Sequence, residues 1–158
     1  MVIEKVLVTK KEELQPTHIG FHPAYEYDKF EVSPRNGGNQ CAVIFYDIAP
    51  GKSSFPFHYH NSSEEIFYII SGQGVVETND GDIPISAGSV IICPVGEGGA
   101  HRITNKSASE TLTYIDIDTV PKTDMCLYPK TGKIGIFTND GFAKIYKTNN
   151  DVKYYEHE

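Results

Sequence analysis

The chain has few cysteines, fewer basic than acidic residues and no long apolar run, and each shortage removes a class of protein. Cys41, Cys93 and Cys126 are odd in number and widely separated, with no Cys-x-x-Cys pair. Neither a disulfide framework nor a zinc ribbon is indicated, and a reducing cytoplasm fits best. Fourteen Lys and Arg stand against twenty-one Asp and Glu, a net charge of −7. That balance repels phosphate backbones and anionic lipid surfaces, so no nucleic-acid or membrane partner is expected. Apolar runs such as Ile66–Ile70 fall far short of the ~20 residues of a membrane helix. Met1–Glu13 alternates apolar residues with Lys and Glu and has no apolar signal-peptide core. Helical periodicity is weak throughout, its best instance a short turn near Thr9–Leu14, and neither an internal repeat nor a low-complexity linker divides the chain.

What is present is a succession of strands. Val43–Tyr46, Ile66–Ile70, Val75-Val76, Val90–Ile92 and Leu112–Ile117 are β-branched and aromatic segments separated by Gly, Pro, Asn and Asp, the pattern of an all-β sandwich or barrel. Asn79-Asp80-Gly81-Asp82 reads as a tight turn, and Pro84 just after it as an edge or strand-end position. With 158 residues, 39% hydrophobic and 22% charged, one globular domain over 1–158 is expected, with its barrel at about 40–118 and extensions at 1–39 and 119–158.

His58-Tyr59-His60 is the most informative stretch. Residues two apart on a strand share a face, so His58 and His60 project together while Tyr59 points away. The expected path is extended over Phe55–His60, reverses at Asn61-Ser62-Ser63-Glu64 and returns over Glu65–Ser71 as an antiparallel hairpin partner. Glu65, Phe67 and Ile69 then share one face, and a carboxylate at the end of an apolar face is costly unless it is paired or binds a metal. Parity favours Glu65 over Glu64, which falls on the opposite face. Further on, a strand ending at Pro94 and a glycine-rich loop lead to a strand carrying His101, Ile103 and Asn105 on one face. The loop lacks the helix start and Lys-Ser/Thr of a phosphate cradle. His18 and His22 have the spacing of helical zinc ligands, but Pro16, Gly20 and Pro23 break any helix there, so they read as surface or lid residues.

His58, His60, Glu65 and Gly72 match the spacing of the first motif of the cupin superfamily, and Gly88, Pro94, Gly96, His101 and Asn105 match the second. Fifteen residues separate Gly72 from Gly88, a compact family spacing. Six residues rather than five separate Gly51 from His58, and four rather than two separate Gly96 from His101. The longer second loop resembles that of small single-domain cupins, among them the mannose-6-phosphate-isomerase-like ones, whose later segment is similar to Asp124–Pro129 here. The resemblance implies a double-stranded β-helix, or jelly roll, often dimeric, holding one divalent metal on His58, His60, Glu65 and His101.

Three imidazoles and one carboxylate fill four octahedral positions and leave two for water or substrate oxygens. Such a set suits manganese, iron, nickel, cobalt, copper or zinc alike. Phe67, Ile69 and Ile103 are the expected pocket lining. The first functional expectation is an enzyme on a small oxygen-rich molecule, isomerase-like or dioxygenase-like, with Glu64 or Tyr114 as the candidate proton carrier. The second is a binding or sensing module without turnover. The discriminating feature is an acid or base beside the metal: Tyr114 and Asp116 share one face of their strand, Ile115 and Ile117 the other, and the sequence leaves open which faces in. A metal that merely braces the barrel is a third option. A homodimer is expected, since edge strands attract partners and both extensions are long enough to exchange.

Overall fold

Alternation of buried and outward side chains sets the architecture. The computed structural model describes residues 2–150, 152, 154 and 155. Thirteen strands follow one another: β1 (Thr17–His22), β2 (Tyr25–Ser33), β3 (Cys41–Ile48), β4 (Tyr59–His60), β5 (Glu65–Ser71), β6 (Gln73–Thr78), β7 (Gly81–Ser86), β8 (Val90–Cys93), β9 (His101–Asn105), β10 (Leu112–Thr119), β11 (Thr123–Tyr128), β12 (Lys133–Thr138) and β13 (Ala143–Lys147). The only helical pieces among the described residues are short 3-10 turns, one of them at Lys11–Glu13 where the sequence points to a turn. Among the described residues no helix is long and apolar enough to cross a membrane.

One sheet has the order β1-β2-β3-β10-β5-β8. The other is made of β13-β12-β11-β4 and β7-β6-β9, joined by the antiparallel bridge between His58 and His101. Together they form the double-stranded β-helix. Its core is apolar and aromatic, with Ala42, Ile44, Tyr46 and Ile48 from β3 meeting Phe67, Ile69, Ile103, Leu112 and Tyr114. Pro84 lies on β7, at the end of its sheet, where a missing ladder donor is tolerated.

One expectation is corrected. Phe55–His60 and Glu65–Ser71 are not partners in a hairpin: β4 pairs with β11, whereas β5 pairs with β10 and β8. Residues 61–64 carry the chain from one sheet to the facing one, held by Asn61 N–H on Met125 O at 2.9 Å, Ser62 N–H on Asp124 Oδ1 at 2.9 Å and Ser63 Oγ on the Thr119 carbonyl at 2.5 Å. Four polar residues between two extended segments look the same in sequence whether they close a hairpin or cross a sandwich. Both extensions pair with strands of this chain, β2 with β3 and β11 with β4.

Candidate metal centre

The crossing at 61–64 makes Glu65 face His58, His60 and His101 from the opposite sheet. His60 Nε2 lies 3.3 Å from Glu65 Oε1, while His101 Nε2 and His58 Nε2 lie 3.6 and 3.9 Å from Glu65 Oε2. All four residues are buried. Each ring is fixed through its other nitrogen: His58 Nδ1–H donates to Pro56 O at 2.7 Å, His101 Nδ1–H to Gly99 O at 3.0 Å, and His60 Nδ1–H to the Asp124 carboxylate. A carbonyl can only accept, so Nδ1 carries a hydrogen in His58 and His101, and His101, held neutral by burial, turns its Nε2 lone pair toward Glu65. Lone pairs turned on a buried carboxylate repel one another unless a cation lies between them, and rings oriented through Nδ1 are the usual support of metal-bound histidines. The residues fit a divalent metal on this ground. Ligand atoms of His58, Glu65 and His101 lie within 4.8 Å of one another, as do those of His58, His60 and Cys126.

Charge is distributed unevenly. Burial disfavours a charged His60, but Asp124, then Cys126 and Glu65, raise its pKa to about 12. Burial pushes His101 down to about 4. Glu65 is also opposed by burial, yet His58 and His60 hold its pKa well below the usual carboxylate value. Arg35 Nη2 sits 2.7 Å from Asp118 Oδ2 and 3.3 Å from Glu65 Oε1. Asp116 is the contrasting acid: burial, reinforced by Asp118, raises its pKa well above normal, and its Oδ1 is buried with no hydrogen-bond partner.

A cavity of about 400 Å³ opens beside this cluster, with His58, His60, Glu65, Arg35, Asp116, Asp118, Cys126 and Tyr128 on its polar and aromatic wall. Its apolar wall comes from Ile44, Tyr46 and Phe55 of the barrel and from Ile19, Tyr27, Phe137 and Phe142 of the extensions. The expected lining of Phe67, Ile69 and Ile103 lies in the core instead: these side chains share the inward faces of Glu65 and His101 but sit further along β5 and β9, packed between the sheets behind the centre. Tyr114 faces inward but is fully buried, its hydroxyl 2.8 Å from Ser54 Oγ, and it is outside the cavity wall. Glu64 is exposed. His18 and His22 are exposed on β1, His18 on Asp28 at 2.8 Å, and neither joins the centre. Arg35, Asp118 and Asp124 escape a sequence reading centred on histidines. Asp118 continues the inward parity of Tyr114 and Asp116, and that parity is the signal for it.

The motif spacing, the barrel and this cluster have a match among known families: the model of the cupin domain fits residues 44–118. The chain carries a cupin domain. Beyond the matched residues, the cupin fold extends through both ends. A crystal structure of a candidate sugar phosphate isomerase from Acidithiobacillus ferrooxidans superposes over 95% of this chain and 97% of its own with a TM-score of 0.79 at 24% identity. A cupin-superfamily sugar phosphate isomerase from Silicibacter pomeroyi superposes with the same score over 94% and 98% at 16% identity. In sequence, the cupin is 43% identical over 58 residues to the oxalate-binding protein of Thermotoga maritima; the match spans 37% of this chain and 46%, under half, of that relative.

Proposed function

We propose that this cupin is a metal-dependent enzyme that moves a proton on a small molecule with two neighbouring oxygens, in the manner of a sugar or sugar phosphate isomerase. The observation that carries the reading is Asp116, a residue of the wall that also bears His58, His60 and Glu65, whose buried Oδ1 has no hydrogen-bond partner. An acid or base at that place separates turnover from mere binding. A divalent metal on His58, His60, Glu65 and His101 would polarise a substrate oxygen as a Lewis acid. The protein's own groups do the rest. Asp116, kept neutral by burial and Asp118, holds a proton it can give and later recover. Arg35 balances Glu65 and Asp118, and the aromatic walls keep water from the reacting oxygens.

Elemental analysis should find close to one divalent metal per chain, and His60→Ala or Glu65→Gln should empty the site; unchanged content in both variants sinks the assignment. Against a panel of sugars and sugar phosphates, Asp116→Asn should lower kcat by ~10²–10⁴ with metal retained. A full rate in that variant removes Asp116 from the reaction. The second reading, binding without turnover, draws on the sequence shared with the oxalate-binding protein. Calorimetric binding of oxalate by a protein inert toward the whole panel would favour it.

A further inference from the structure

We propose that Cys126 is a fifth donor of the same centre, a thiolate that closes on the metal from the β11 side. The inference rests on the metal-binding reading above and goes beyond its four ligands. Cys126 stands opposite His60 in the β11–β4 register and is 1% exposed. Its Sγ and a ring nitrogen from each of His58 and His60 lie within 4.8 Å of one another. His58 therefore belongs to two groups of potential donors, one completed by Glu65 and His101 and the other by His60 and Cys126. A second observation points the same way. The His58 ring is 6% exposed and its Nδ1 is taken by Pro56 O. The Glu65 oxygen 3.9 Å from its Nε2 is beyond hydrogen-bond reach. With Nδ1 taken, Nε2 is the ring nitrogen His58 has left to serve either group.

The other cysteines are placed differently, Cys41 exposed and Cys93 packed in the apolar core. Ligation by Cys126 breaks its S–H bond, releases the proton to solvent and places the sulfur electron pair on the metal, with no change of oxidation state. Sulfur shifts the preference of the site toward zinc, cobalt and copper and away from manganese and magnesium. It also takes one of the two positions otherwise open to substrate oxygens.

Cobalt(II) tests this directly, in the full-length chain with Cys41→Ser to remove the exposed thiol. One equivalent should give a sulfur-to-cobalt charge-transfer band in the near ultraviolet and, by X-ray absorption, a sulfur neighbour at about 2.3 Å. Both signals should vanish in Cys126→Ser, which still binds one cobalt, and persist in Cys93→Ala. One bound cobalt with nitrogen and oxygen neighbours only, and no such band, overturns the role of Cys126 while leaving the four-ligand centre standing. No cobalt retained by this chain overturns both. If Cys126→Ser does not fold, X-ray absorption on the chain with its thiol intact decides alone.

Discussion

His60 donates its Nδ1–H to the carboxylate of Asp124, 64 positions further along the chain. The same carboxylate accepts the Ser62 N–H at 2.9 Å, so one side chain of β11 anchors both a candidate ligand and the crossing that delivers Glu65. Removing an orienting partner of this kind costs roughly 10- to 100-fold in metal affinity. Asp124→Asn should show such a loss in chelator competition, with the fold retained by circular dichroism. Wild-type affinity would deny Asp124 an orienting role.

Metal uptake should be linked to proton release. The pKa of His60, about 12 between Asp124 and Glu65, means that a metal reaching Nε2 displaces a proton at neutral pH. Calorimetric enthalpies measured in buffers of different ionisation heat should report at least about one proton released per metal bound. Buffer-independent heats would contradict a charged His60.

The contribution of His101 to the metal-free chain should be lost in mild acid. His101 titrates at about 4 when folded against 6.5 in the free side chain. A depressed value contributes stability that is present above 6.5 and is lost as pH falls toward 4. His60 has the opposite sign, its contribution being full below 6.5 and declining as pH climbs toward about 12, and so has Asp116, whose raised pKa stabilises the fold increasingly as pH falls. Urea midpoints should therefore be compared with those of a His101→Gln variant: the difference, wild type minus variant, should shrink from pH 7 to pH 4, and a level difference would count against a neutral buried His101.

Gly99 should tolerate no side chain. A Cβ there would meet Pro94 O at 1.9 Å, and the Gly99 carbonyl is the acceptor for His101 Nδ1. Gly99→Ala should cost about 1–3 kcal/mol and also weaken metal binding. Wild-type thermal stability and metal content together would refute the link.

A second copy of the chain is the expected partner of the outer face of β5 and β8. Ile66 is in register with Ile92, and Tyr68 with Val90; Val90 and Ile92 are each 62% exposed. Ile117 lies beside Ile66 on β10. An apolar row running to an open sheet edge, without a charged side chain among these residues, suits a self-complementary contact. Sedimentation should give a dimer that Ile92→Lys converts to monomer. A wild-type chain that stays monomeric at high concentration ends the idea.

Much of the barrel and the ligand set can be read from the sequence because strand parity is local. His58, His60 and Glu65 fall on inward faces by counting in twos, and Asn105 follows His101 by the same rule. Asp124 and Arg35 cannot be reached that way. Nothing near Arg35 in sequence ties it to Glu65 and Asp118, and its place follows from how the β2–β3 connection packs over the barrel. The same limit explains the misread hairpin at 61–64, where the pairing partner, β11, lies some sixty residues away, as the register of Cys126 with His60 records. For Leu112–Thr119, alternation alone cannot choose a face. The structure turns Tyr114, Asp116 and Asp118 inward, which puts Ile115 and Ile117 on the outer face.

The cavity's outer apolar residues, Ile19 on β1 and Phe137 and Phe142 around the β12–β13 turn, lie outside residues 44–118 that match the cupin domain. His58, His60, Glu65 and His101 are thus written in one stretch of the chain, and much of what surrounds them in others. Exchanging the end segments for those of another barrel would keep these four residues but would replace Arg35, Asp124 and Cys126 together with the apolar wall, so the centre and its entrance change together.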